Sequence, residues 1–207
     1  MLGLAEKRTR LPAAQRRAVI ERAATEVFAE RGYHGAGMDE IAARSGISVP
    51  VLYDHFPSKQ RLHRQLLEAH FADLRAIWRN RLTAEQPPGG QVADAFDAWF
   101  GYVETHPYAW RMLFRDTTGD PTVAQLHREV AEASRAAMLP LFARQLPTAL
   151  ANDEHAVAMA WEVVRAALQG LALWWSEQPG VPRERVVAMA MNLLWIGFER
   201  LQRGATW

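Results

Sequence analysis

The segment from Met38 to Lys59, MDEIAARSGISVPVLYDHFPSK, limits the possible folds of this chain more than any other. Its apolar residues predict two short helices joined by a tight reversal. Gly46 falls at that reversal, where the backbone usually needs a positive φ that costs glycine little. Ser48 can cap the second helix, and Pro50 can stand in its first turn, where a missing N–H donor is harmless. The segment therefore predicts a helix-turn-helix, a unit that places one helix in the major groove of DNA.

The second of these helices has distinct inner and outer faces. Leu52 and Phe56 are four residues apart and predict the buried stripe. The residues between and before them form the outer face that a recognition helix presents to the groove. That face comprises Val49, Pro50, Val51, Tyr53, Asp54 and His55.

The run LYDHFPSK, with IAxxxGIS upstream, resembles the signature of TetR-type transcriptional regulators. The matching positions are Gly32, Tyr33, Ile41, Ala42, Gly46, Ser48, Leu52, Tyr53, Phe56, Ser58 and Lys59. The similarity is strong over residues 14–68, and weaker echoes follow at 106–114 and 170–201. One position departs from the pattern: Ala36 and Gly37 stand where the family usually has Ser or Thr, so a hydroxyl contact to phosphate is lost.

The resemblance implies roles for particular residues in DNA binding. Tyr53, His55 and Lys59 match positions that contact phosphates, and their hydroxyl, imidazole and ammonium groups are suitable donors. By their own chemistry, the apolar residues at the start of the recognition helix favour thymine methyl groups. Asp54 can either accept from a cytosine amino group or be held back from phosphate by its like charge. The predicted DNA-binding residues are Met38, Ser48, Val49, Pro50, Val51, Tyr53, Asp54, His55 and Lys59.

The distribution of charge supports a nucleic-acid partner at the N-terminal end. Residues 1–85 carry a net charge of +4 and residues 86–207 a net charge of −3. Attraction to phosphate is local, because charges are screened beyond about 10 Å at 0.1 M salt. The basic residues around the motif are Lys7, Arg8, Arg10, Arg16, Arg17, Arg44, Lys59, Arg61 and Arg64.

The length of 207 residues favours two domains, a helix-turn-helix domain over 1–58 and an effector-binding and dimerisation domain over 59–207. The chain has no cysteine, and Met1 to Gln15 is charged without an apolar run, so we expect a cytoplasmic protein without disulfides or a signal peptide. The most apolar window, Ala166 to Trp175, is interrupted by Gln169, and we expect no membrane span.

The remaining pattern predicts an all-α fold with nine helices and no strand. Pro87 to Gly90 predicts the clearest loop, and Pro140 is expected to kink the seventh helix. Besides the helix-turn-helix pair, the predicted helices are Ala14–Arg31, Lys59–Thr83, Gln91–Thr105, Pro107–Arg115, Thr122–Gln145, Asp153–Gln178 and Arg183–Gln202.

The second domain holds all eight tryptophans, which either fill a core or surround a cavity. In the family that the chain resembles, the body encloses an effector cavity, and we predict one of roughly 300 to 1,000 Å³ within residues 65–175. Its expected lining is Phe71, Trp78, Phe96, Trp99, Phe100, Trp110, Phe114, Met138, Phe142 and Trp161. Candidate polar groups are His70, Arg111, Ser134, Glu162 and Gln169, with His70 or Arg111 favoured.

Gly170 and Gly197 fall inside the last two long helices, where glycine costs about 1 kcal/mol relative to alanine. Close helix approach can compensate, helped by the small residues Ala160, Ala167, Ala190 and Ala205. We expect these helices to form a four-helix interface in a homodimer; a crossing of the same two helices within one chain is the alternative.

An enzyme fits the sequence poorly. It has no GxSxG, phosphate-binding loop or HExxH motif, and its seven histidines do not have metal-ligand spacing, so we expect no cofactor or metal. We predict a homodimeric transcriptional regulator that binds a palindromic operator. The expected mode of regulation is repression, and a small, largely apolar effector is expected to release the protein from DNA. The alternative is an architectural DNA-binding protein without an effector.

Overall fold

A computed structural model describes residues 12–83, 85–114, 121–146, 148–196, 200 and 203. The predicted basic arm, Gly197 and Ala205 lie outside these residues. The described helices are α1 (Ala13–Gly35), α2 (Met38–Ser45), α3 (Val49–His55), α4 (Lys59–Leu82), α5 (Pro88–Thr105), α6 (Pro107–Phe114), α7 (Pro121–Ala143), α8 (Thr148–Ala151), α9 (Glu154–Trp175) and α10 (Arg183–Ala190). A π-helical turn, Met191–Trp195, continues α10.

The all-α class is confirmed, and the described ranges contain no strand. Each of the nine predicted helices has a counterpart, and α8 is an additional single turn. The chain divides into two compact units, Met1–Leu66 and Leu67–Trp207. Helix α4 contributes residues to both units, because the division falls inside it.

The first unit packs α1, α2 and α3 around a small apolar core. Ile20, Phe28, Ile41, Leu52 and Phe56 are almost fully buried in it. Ile20 and Phe28 lie eight residues apart on one side of α1. Leu52, in α3, and Phe56, directly after it, are four residues apart, so each of these helices turns one side to the core. Burial of these side chains holds the helix-turn-helix pair against α1.

Glycine sets the direction of the chain at two points in this unit. Gly46 has φ of 69° and ψ of 28°, the left-handed conformation that the sequence predicted. Its N–H and that of Ile47 donate to the carbonyls of Ala43 and Ala42, which closes α2 with the hydrogen bonds of a Schellman cap. Gly32 also has a φ of 69° and interrupts α1 near its predicted end.

The second unit contains the remaining helices. Helix α5 begins at Pro88, so the prediction that Pro87 to Gly90 is a loop was wrong for most of that segment. Proline is favoured at the first helical position, because its N–H would lack an intrahelical acceptor and its φ already suits a helix. Helix α9 begins with a side-chain cap, as Asp153 accepts from the N–H groups of His155 and Ala156 at 2.9 and 3.2 Å.

Within the described part of the chain, α9 is the one helix long and apolar enough, by length and composition alone, to cross a bilayer. Helices in the cores or interfaces of globular proteins meet the same criterion. Helix α9 presents one side to the second unit, where Val157, Val164 and Leu168 are buried. Its opposite side carries large apolar side chains that are exposed in the single chain.

Candidate DNA-binding surface and ligand cavity

The outward side of α3 is the candidate DNA-reading surface. Ser48, Pro50, Tyr53 and Asp54 are exposed, and Tyr53 has 46% of its surface accessible. The side chains of Val49, Val51 and His55 are partly exposed. This arrangement gives one end of the helix a short apolar surface and the other end hydroxyl, carboxylate and imidazole groups.

Two residues of the predicted set are placed differently from the rest. Ser48 occupies the N-cap position of α3, but its side chain makes no capping hydrogen bond, so that part of the prediction was wrong. Ser48 is exposed. Met38 begins α2 and is 9% exposed, with its side chain in the core of the first unit. A DNA contact from Met38 would therefore have to come from its backbone.

The structure places the ammonium group of Lys59 against the backbone. Nζ donates to the carbonyl oxygens of Tyr33 at 2.8 Å and Ala36 at 2.9 Å, with a longer contact to His34 at 3.5 Å. It also lies 4.6 Å from the centroid of the Tyr33 ring. These carbonyls follow the Gly32 interruption of α1 and lie at the end of that helix. The last carbonyl groups of a helix have no N–H donor within the helix, so another group must donate to them. Lys59 thus ties the start of α4 to the loop that leads into α2.

Other members of the predicted basic patch also have partners within the first unit. Arg44 pairs with Glu30 at 2.9 Å and Glu40 at 3.2 Å. Arg17 pairs with Glu21 at 2.8 Å and lies over the Phe56 ring. The charge that these groups contribute to DNA attraction is therefore reduced by nearby carboxylates.

The second unit contains a partly open cavity of about 710 Å³. Its volume and its position match the prediction for residues 65–175. Helices α4, α5, α6, α7 and α9 supply its walls. The predicted residues that line it are Phe71, Trp78, Trp99, Phe114, Met138 and Trp161.

The other four predicted aromatics do not line this cavity, but each packs behind a ring that does. Phe96 lies 6.0 Å from Trp78, and Phe142 lies 5.8 Å from Trp161, between ring centroids. Phe100 and Trp110 both contact Trp99 edge to face, at 5.0 and 5.5 Å. Edge-to-face pairs of this kind are stabilising. A second layer of rings therefore holds the cavity wall in place.

The polar part of the lining is richer in charge than the sequence predicted. Ser134, Glu162 and Gln169 line the cavity as expected, whereas His70 and Arg111 do not. The polar residues missed from the sequence are Arg75, His127, Arg128, Glu132, Arg135 and Arg165. On α7, a signal existed: residues 128, 131, 135 and 138 recur at helical spacing with the predicted Met138.

Two of these arginines are neutralised by a network between α7 and α9. Arg135 pairs with Glu132 at 2.8 Å and approaches Glu162 at 3.6 Å. Arg165 donates to Glu162 at 2.9 Å and to Gln169 at 2.6 Å. The network fixes both glutamates of the lining to arginines of the same lining.

His70 lies in a separate polar cluster of the second unit. Its Nδ1 is 2.9 Å from the hydroxyl of Tyr102, whose ring stacks on His106 with centroids 4.4 Å apart. Burial lowers the pKa of His70, although the nearby carboxylate of Asp73 opposes that shift. Burial likewise raises the pKa of Tyr102. His70 therefore belongs to a polar cluster outside the cavity lining.

The helix-turn-helix unit and the separate helical body define a class of protein, the DNA-binding transcriptional regulators. Comparison with known families agrees with this class. Residues 20–66 match the family described as "Bacterial regulatory proteins, tetR family". Residues 88–197 match "Tetracyclin repressor-like, C-terminal domain". The chain belongs to the TetR family of transcriptional regulators and is a DNA-binding regulator of transcription.

Individual proteins are similar to this chain in sequence or in fold. The HTH-type transcriptional activator FasR of Mycolicibacterium smegmatis is 31% identical over 193 residues, which cover 93% of this chain and 87% of FasR. A TetR-like regulator from Rhodococcus sp. RHA1 has a similar fold, with a TM-score of 0.76, 24% identity and coverage of 92% and 99% of the two chains. FadR of Bacillus subtilis, solved with stearoyl-CoA, has a TM-score of 0.71, 16% identity and coverage of 91% and 99%.

Proposed function

We propose that this protein binds an operator as a homodimer and leaves it when a ligand with a large apolar body occupies the cavity of the second unit. The observation that carries this proposal is the apolar cavity of about 710 Å³, a size typical of small-molecule sites. Helix α4 supplies Phe71, Leu74 and Trp78 to that cavity and also supplies residues 59–66 to the helix-turn-helix unit. A ligand that favours one position of α4 can therefore change DNA affinity.

The outward side of α3 supports the choice of DNA contacts. Val49, Pro50 and Val51 provide apolar contacts to base methyl groups, and the exposed hydroxyls of Ser48 and Tyr53 can donate to phosphates. Whether the protein represses or activates transcription depends on the position of the operator. A repressor blocks the promoter, and its release from the operator activates transcription; this repressor mode is the one that we propose. FasR is by name an activator, and transcription in vitro with and without ligand decides between the two. The protein acts where the chromosome lies, which in a bacterium is the cytoplasm.

Exposed apolar side chains on α9 and α10 support a homodimer. Val163 is 61% exposed, and Leu193, in the π-helical turn after α10, is 71% exposed. A methyl group added at Gly170 would meet no described atom within 4 Å, so a close crossing within the chain does not explain that glycine. A second copy of the chain would bury this surface, and a two-fold dimer suits paired half-sites about 34 to 36 Å apart.

The oligomeric state can be tested with charge substitutions on this surface. We expect Val163→Glu combined with Leu193→Glu to give monomers in analytical ultracentrifugation, because burial of two unpaired carboxylates at an interface is costly. Tyr108→Glu is the matched control, since Tyr108 is also an exposed apolar residue but lies on α6. A dimer that persists in the double variant, or a monomeric wild-type chain, would contradict the proposal.

Ligand-dependent release can be tested by blocking the cavity. An operator is first selected from a random DNA pool, and its binding is followed by fluorescence anisotropy with and without an acyl-CoA, the class of ligand bound in the FadR structure. We expect ligand to weaken DNA binding of the wild type by roughly 5- to 150-fold, the usual range of allosteric coupling. Ala131→Trp should retain DNA binding but lose this response, because Ala131 lines the cavity.

The control for this experiment is Ala136→Trp, at an exposed position of α7 outside the lining. It should respond to ligand as the wild type does. If the wild type bound DNA but neither an acyl-CoA nor an uncharged fatty alcohol of any chain length changed its DNA affinity or its tryptophan fluorescence, the architectural function would replace the proposed one.

A further inference from the structure

The charges around the cavity do not balance. Its lining holds four arginines and two glutamates, a net charge of +2. Both glutamates, Glu132 and Glu162, are engaged by Arg135 and Arg165 in the α7–α9 network. The excess positive charge therefore resides on the two remaining arginines of the lining, Arg75 and Arg128.

No carboxylate within the described ranges forms an ion pair with Arg75 or Arg128. Arg75 lies on α4 among the apolar lining residues Phe71, Leu74 and Trp78, and it is only partly exposed. An unpaired guanidinium beside an apolar surface is a strong site for an anion, because its planar array of donors matches carboxylate and phosphate oxygens. Arg128 adds a second positive group from α7.

We infer that the ligand is an anionic amphiphile, an acyl chain whose carboxylate or phosphate head is bound by Arg75 and Arg128. This inference rests on the proposed function, since it specifies the ligand of the same cavity. The aromatic and aliphatic lining accommodates the chain. The two arginines select a negative head over an uncharged or positive one, so they determine ligand class rather than merely adding affinity.

The contribution of the head group to affinity can be separated from that of the apolar chain with four probes that share a twelve-carbon chain. The probes are dodecanoate, dodecanoyl-CoA, dodecanol and dodecyltrimethylammonium. Each is titrated into the full chain below its micelle concentration, and the affinity is read from tryptophan fluorescence, because Trp78, Trp99 and Trp161 line the cavity. We expect at least one of the anionic probes to bind about tenfold or more tightly than dodecanol, as charge-assisted hydrogen bonds permit. The cationic probe should bind weakest. The tighter of dodecanoate and dodecanoyl-CoA identifies the head as carboxylate or phosphate.

Substitution of the arginines assigns the effect to them. In Arg75→Gln with Arg128→Gln, the preference for the anionic probe should fall below about threefold while dodecanol binding stays within about twofold of wild type. The matched control is Arg79→Gln with Arg144→Gln, which removes two exposed positive charges on or directly after the same helices, outside the lining. Dodecanol affinity in each variant also reports whether the cavity remains folded.

The possible outcomes separate this inference from the function on which it rests. Equal binding of dodecanol and both anionic probes by the wild type, or an equal loss in the control variant, would overturn the anionic ligand and leave the apolar effector standing. Preference for the cationic probe would overturn it as well. Binding of none of the four probes would remove the proposed effector cavity and the inference together.

Discussion

Substitution of Lys59 is the sharpest test of the side-chain contacts in the first unit, because the sequence and the structure give this residue different roles. The sequence resemblance implies a phosphate contact, whereas the structure directs its ammonium group to the carbonyls of Tyr33 and Ala36 at 2.8 and 2.9 Å. We consider Lys59→Met, which removes the charge and keeps most of the apolar stem. The substitution leaves both carbonyls without their charged donor.

The expected size of the effect follows from these contacts. A hydrogen bond to a charged group contributes about 1.5 to 3 kcal/mol, and a cation over an aromatic ring about 0.5 to 1 kcal/mol at exposed sites. Lys59 is only partly buried, so water can replace part of what is lost. We therefore expect the free energy of unfolding to fall by about 2 to 3 kcal/mol, and the melting temperature by roughly 5 to 10 °C.

Circular dichroism during thermal and urea unfolding measures this loss, and DNA binding at several salt concentrations measures the charge effect. Arg61→Met is the matched control: it removes a positive charge from an exposed residue two positions further along α4 and should change stability by less than about 0.5 kcal/mol. A phosphate contact gives the opposite pattern. If Lys59→Met melted like the wild type but bound every DNA sequence more weakly, with a salt slope lower by about 1, the internal role of Lys59 would be refuted.

Three further predictions concern other parts of the chain. Replacing operator thymines with uracil should weaken binding by about 1 kcal/mol at each methyl that Val49, Pro50 or Val51 contacts, and unchanged anisotropy titrations at every position would exclude apolar readout. Gly46→Ala should lower the free energy of unfolding by about 1 to 2 kcal/mol, because alanine disfavours φ of 69°, whereas Gly180→Ala, in open space, serves as the neutral control. The lowered pKa of His70 means that the unfolded chain takes up a proton at higher pH than the folded chain, so stability should decrease as the pH falls below about 6.5. His70→Gln should reduce that decrease in urea unfolding between pH 7 and 5, and an unchanged pH dependence would show that His70 does not contribute.

The features that the sequence alone determined are those set by neighbouring residues. The helix-turn-helix pair follows from apolar spacing within each helix, and the positive φ of Gly46 follows from a reversal between two adjacent elements. The preference for an aromatic interior in the second unit also depends only on residue type and helical periodicity. Pro88 shows the limit of such reasoning: the same residue is compatible with a loop or with a helix start, and in the structure it begins α5.

The tertiary structure decided which groups meet across long separations in the chain. Lys59 reaches carbonyls 23 to 26 residues earlier, and Arg135 approaches Glu162 on another helix. Tertiary packing also divides the predicted aromatics into cavity lining and supporting layer. A periodic pattern of apolar residues identifies the buried side of a helix. It does not identify which residues of other helices contact that side, because those contacts depend on how the helices cross. Thus the sequence predicted a regulator with a cavity, and only the folded chain placed beside its apolar wall two arginines that form no ion pair with any described carboxylate.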